Sequence, residues 1–107
     1  MALFRCGSAI DEKIPCYSSG NSRANCGYLT SGSSQAVSGG STFGGDVYLF
    51  KKATSITITA TENMHVVREI NNAIQVDDLA PGTVQNPENV IAIKIGTNTT
   101  ATVTAVF

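Results

Sequence analysis

The sequence predicts an all-β protein, a small antiparallel β-sandwich or open barrel of about six strands with a Gly/Ser-rich N-terminal arm. Three observations point there. Apolar and hydroxyl residues alternate with period two over residues 55–61, turn-forming Asn, Gly and Pro recur between short β-branched runs, and no stretch repeats apolar residues at helical spacing. The 107 residues amount to one domain's worth of chain. Composition divides them into an extended arm over residues 1–45 and a β-sandwich module over residues 46–107.

The arm comes first. Over residues 18–45 more than half of the side chains are Ser or Gly, and only Tyr28, Leu29, Val37 and Phe43 are sizeable and apolar. Ordering a residue costs roughly 1–2 kcal/mol of backbone entropy, which a segment of this composition cannot offset by its own burial. The arm is therefore expected to be mobile in the isolated chain and to order against a partner, the simplest being a neighbouring copy.

The module reads strand by strand. Residues 47–51 are a short β-branched and aromatic run, and over residues 55–61 Ile56, Ile58 and Ala60 share one face while Thr57, Thr59 and Thr61 share the other. Residues 64–70 and 73–77 flank Asn71-Asn72. Asn tolerates the left-handed conformation, so this pair suits a two-residue hairpin turn of the primed type. Closure there sets Val67 opposite Val76 on one face and Arg68 opposite Gln75 on the other, separating core from solvent side. A last hairpin is expected between residues 90–95 and 99–107. A three-residue loop, Gly96-Thr97-Asn98 with Asn98 left-handed, sets Ile91, Ile93 and Ile95 against Val103, Ala101 and Thr99, whereas a two-residue turn mixes the faces. Between the hairpins, DDLAPGTVQNPEN reads as a surface connection long enough to cross from one sheet to another.

Charge and chemistry restrict the function. Seven Lys and Arg face eight Asp and Glu, scattered along the chain, so there is no basic stripe for a phosphate backbone and nucleic acid is not an expected partner. No run approaches the ~18 apolar residues that span a bilayer, and MALFRCGSAIDEKIP lacks the apolar centre of a signal peptide. Synthesis and folding in the cytoplasm, with no membrane partner, is the expectation, and Asn98-Thr99-Thr100 is then a chance match to a glycosylation acceptor. Cys6, Cys16 and Cys26 are too widely spaced for a zinc knuckle; in a reducing compartment they are expected as thiols, with one disulfide and a leftover thiol the alternative after release into an oxidising milieu. Stacked on these cysteines, the three N-terminal segments share no repeated apolar position, so the spacing is not a structural repeat.

The single histidine, His65, lies in the strand-like run Met64-His65-Val66-Val67 without a nucleophile motif, so it reads as a half-buried strand residue. Asp77, Asp78 and Glu62 read as turn and solvent residues. Gly39-Gly40 and Gly44-Gly45 form no phosphate loop and signify flexibility or close backbone approach. No catalytic, cofactor-binding or metal-binding residue is assigned, and an enzyme is not expected. Thr57, Thr59 and Thr61 with Thr100, Thr102 and Thr104 form two rows of hydroxyl and methyl groups. Thr-x-Thr rows are similar to those of ice-binding proteins, although threonine is also an ordinary strand former on a wet face.

The opening MALFRCGS, followed by Gly and Ser tracts and a Thr-rich β module, resembles small proteins encoded among the head and tail genes of tailed bacteriophages. That resemblance implies a multicopy, non-enzymatic virion component, a capsid decoration protein or a tail or fibre accessory. Its implied partners are copies of itself and another virion protein, with the host cytoplasm and then the virion as its location. A free-standing β-sandwich module for adhesion, carbohydrate or ice binding is the alternative.

Overall fold

A computed structural model describes residues 14–20 and 26–107. Among them the chain forms β1 (Cys16–Ser18), β2 (Cys26–Tyr28), β3 (Ser34–Ser38), β4 (Gly45–Tyr48), β5 (Ser55–Ala60), β6 (Met64–Ile70), β7 (Ala73–Leu79), β8 (Gly82–Thr83), β9 (Val90–Ile95) and β10 (Thr100–Val106). They make a six-stranded sheet, β2-β1-β4-β9-β6-β7, and a four-stranded sheet, β3-β10-β5-β8, with every pairing antiparallel. The expected all-β sandwich is thus present, with more strands than the six anticipated.

The extra strands come from the segment read as an arm. β1, β2 and β3 lie wholly within it, β1 pairs with β4 and β3 with β10, and Cys16, Leu29 and Val37 are buried. Residues 1–13 and 21–25 of the arm lie outside the described residues. A Ser/Gly segment cannot build a core alone, but it needs only a few apolar residues when added to an existing one. Ladder hydrogen bonds then satisfy its backbone. Its glycines are used for close approach: a Cβ on Gly39 would collide with the Gly96 carbonyl oxygen, and one on Gly44 with that of Ile95. The backbone of Gly39 also donates to the Thr99 carbonyl at 2.7 Å, and Asn98 donates to that of Gly40 at 3.0 Å. The premise that a neighbouring copy must hold this segment therefore falls away for its described residues.

The core lies between the sheets. Val47, Met64, Val66, Ile93 and Ile95 from the larger sheet meet Val37, Ile56, Ile58, Ala101 and Val103 from the smaller. As expected, Ile56 and Ile58 point inward while Thr57 and Thr59 are exposed. The Asn71-Asn72 turn also forms, with φ of 54° and 67°, and it sets Val67 opposite Val76 and Arg68 opposite Gln75. Its faces are reversed, however: Met64 and Val66 enter the core, whereas Val67 is half-buried on the outer face and Val76 is exposed.

The last predicted hairpin is an arch instead. β9 pairs with β4 and β6, and β10 pairs with β3 and β5, so Gly96-Thr97-Asn98 carries the chain across the sandwich. Asn98 is left-handed, φ 58°, as expected. Ile93 and Ile95 do meet Ala101 and Val103, but across the core. Alternation shows which side chains are buried; it does not show whether the facing residue is a ladder neighbour or belongs to the other layer. Ile91 leaves the inward set because a bulge in the β6–β9 ladder pairs Val67 with Ala92 but Arg68 with Val90. The Pro-rich connection reaches the smaller sheet, where β8 joins β5, but does not stay there: a 3₁₀ turn at Pro87–Asn89 returns the chain to β9, in the same larger sheet that it left at β7.

Candidate interaction surface

Because strand residues alternate between faces, each sheet offers an outer face whose chemistry is set by every second residue. On the six-stranded sheet those residues align in rows across β4, β9, β6 and β7. Asp46, Lys94, His65 and Asp78 form a charged row through successive Cα partners. Lys94 Nζ lies 3.0 Å from Asp46 Oδ1, and His65 Nε2 lies 3.1 Å from Asp78 Oδ1. The next row is apolar: Tyr48, Ala92, Val67 and Val76.

Beyond it Glu69 pairs with Ile74, and Lys51 Nζ reaches Glu69 Oε1 at 2.8 Å. Hydrogen bonding and charge attraction from Lys51, with a lesser contribution from the Asn72 amide, hold the Glu69 carboxyl below the ordinary carboxylate value against a small opposing effect of burial. The result is an apolar strip between ion pairs. Phe50 stacks on Tyr48 at a centroid distance of 6.2 Å, and with Ile91, Ala92 and Val67 these rings line an open concavity of about 440 Å³. At the far end Ile74 and Val76 are 62% and 57% exposed on β7, an edge strand that pairs only with β6 among the described residues.

The outer face of the four-stranded sheet differs in kind. Its strands, SQAVS, SITITA, GT and TATVTAV, contain no charged and no aromatic residue. The two threonine rows singled out in the sequence become neighbours, with Thr102 opposite Thr59 and Thr104 opposite Thr57, and Ser34 and Thr83 extend the second row on either side. Ser34 Oγ and Thr104 Oγ1 share a hydrogen bond of 2.7 Å, as do Ser38 Oγ and Thr100 Oγ1 at 3.0 Å. Thr61 lies past the end of β5 and is exposed.

The remaining residues singled out in the sequence are dispersed. His65 is exposed on the outer face, not half-buried, because the neighbours Met64 and Val66 take the inward positions. Glu62 accepts a hydrogen bond from the buried Thr99 hydroxyl at 3.3 Å, and Asp77 accepts one from Gln75 Nε2 at 2.6 Å. Cys16 is buried and Cys26 half-buried, without a disulfide, and Cys6 is outside the described residues. No group of three His, Cys, Asp or Glu among the described residues is placed to hold a metal ion, and no helix among them is long and apolar enough to cross a membrane. What sequence reasoning missed is the apolar strip. Val67 and Val76 carried the signal, but opposed valines on a hairpin read as core until the other layer is located.

Comparison with protein-family models, curated proteins and solved structures finds no match to this chain.

Proposed function

We propose that this chain is a non-enzymatic assembly protein, a multicopy accessory component of a tailed-phage virion of the capsid-decoration or tail and fibre kind, acting through its sheet faces. The observation that carries the reading is the apolar strip of Tyr48, Ala92, Val67 and Val76, bounded by ion pairs and running out to an edge strand. An apolar centre with a polar rim is the anatomy of a protein contact. The virion setting comes from the resemblance of MALFRCGS and the Ser/Gly and Thr-rich segments to phage head and tail proteins. Quantitative proteomics of particles purified from the native host tests it. Many copies per particle are expected, and abundance in the lysate with absence from particles would refute the reading.

A free-standing binding module is favoured by one observation, the uncharged Thr/Ser face. Strand spacing of about 4.8 Å and a repeat of about 6.7 Å between alternate residues make it a regular grid of hydroxyl and methyl groups. Its test is an ice-recrystallisation assay and a glycan-binding screen of the purified chain, in which Thr102→Lys should abolish any activity found.

A further inference from the structure

We propose that two copies of this chain pair antiparallel through β7, about a two-fold axis at Gln75, joining their six-stranded sheets into one. This deepens the assembly reading by naming the partner of the strip's open end.

The hairpin itself determines which backbone groups are available. A two-residue turn with positive φ at Asn71 and Asn72 makes Ile70 and Ala73 the hydrogen-bonded closing pair. Hydrogen-bonded and non-hydrogen-bonded pairs then alternate along the ladder, so Ala73, Gln75 and Asp77 direct their N–H and C=O groups to β6. Ile74, Val76 and Asp78 direct theirs outward, where no strand among the described residues meets them. An edge strand with outward backbone groups and apolar side chains is a template for another strand. Nature blunts such edges with charged side chains or Pro; β7 has its charges, Asp77 and Asp78, only toward its C-terminal end, which leaves Ala73, Ile74, Gln75 and Val76 without either.

Self-pairing satisfies this edge in one register. With the axis at Gln75, Ile74 exchanges hydrogen bonds with the partner's Val76, and Val76 with the partner's Ile74. Four apolar side chains then meet on the outer face, and the strip of Tyr48, Ala92, Val67 and Val76 touches the partner's strip diagonally through Ile74 and Val76 of both protomers. On the other face Gln75 meets Gln75 and Asp77 meets Ala73, so no like charges are opposed. The next register toward Leu79 sets Ile74 against the partner's Asp78, and the one after it sets Asp77 against Asp77. Sliding toward the turn sets Val76 against the partner's Asn72. A single edge contact falls below the ~1,200 Å² of a standard interface, so the dimer is weak in dilute solution. Repeated tethering on a particle raises its effective concentration.

The experiment is sedimentation equilibrium of the full chain from roughly 10 µM to 1 mM, the range of weak association, with residue-resolved amide exchange at both ends. Dimerisation is expected, with exchange at Ile74 and Val76 slowed about tenfold or more in the dimer, while Ala73 and Gln75 stay unchanged. Val76→Lys should remain monomeric with an unaltered melting curve. A monomer at the highest concentration would overturn the self-pairing and leave the virion reading to its proteomic test. Association with unchanged exchange at Ile74 and Val76 would likewise overturn β7 as the contact while leaving an assembly role standing.

Discussion

The two outer faces obey the same alternation and have opposite characters. On β5 and β10 the outward positions are threonine at nearly every step, and the face they make is uncharged and uniform. On β4, β9, β6 and β7 the outward positions change at each step, giving a charged row, an apolar row and then an ion pair. The uniform face has no feature by which a partner could choose a position, since a shift of two residues along a strand reproduces it. The banded face has one, because the same shift sets charges against valines. Specific contact is therefore to be sought on the larger sheet, and bulk stability in what the layers share.

Five experiments break or sharpen that contrast. The largest effect should come from removing residues 1–45, which takes away β1, β2, β3 and the start of β4. The remaining chain should show no cooperative thermal transition by circular dichroism. A cooperative melt would restore the division into an arm and an independent module. Next, Gly44→Ala should cost about 3 kcal/mol or more in chemical denaturation, because its Cβ meets a backbone carbonyl of β9 that cannot rotate away. A loss under about 1 kcal/mol would show that the strands separate easily there.

Ile93→Thr should follow at about 2–4 kcal/mol, since it empties and hydroxylates a fully buried site. Thr102→Val, on the uniform face, should change stability by under about 0.5 kcal/mol. Similar losses from both would mean that Thr102 is not solvated. The smallest effect is on the banded face. Because Lys51 lowers the Glu69 carboxyl in the folded chain, its stabilisation is complete above the ordinary value of 4.5 and is lost as pH falls through the lowered one. Thermal melts from pH 7 to pH 3 should show Lys51→Met slightly below the parent at neutral pH and converging with it in acid. A constant gap would exclude the ion pair as its cause.

Local features were legible because they depend on near neighbours. The Asn71-Asn72 turn, the pairing of Val67 with Val76, the left-handed Asn98 and the threonine rows all follow from side-chain period and from what Asn tolerates at positive φ. The inward direction of Ile56, Ile58 and Ile93 was equally readable. The strip on the larger sheet was not, for Val66 and Val67 are adjacent and either could have turned inward.

By itself the sequence determined an all-β chain, the Asn71-Asn72 turn and part of the core, Ile56, Ile58, Ile93, Ile95, Ala101 and Val103, because period two and turn chemistry are properties of a single segment. Only the tertiary structure decided that Gly96-Thr97-Asn98 is an arch, that Ser34–Ser38 completes the smaller sheet, and that Val67 and Val76 face outward. Each depends on which layer a strand joins. Burying an Ile stabilises the chain equally whether the residue facing it belongs to a hydrogen-bonded neighbour or to the opposite sheet. That choice is made by the sum of contacts across the whole sandwich.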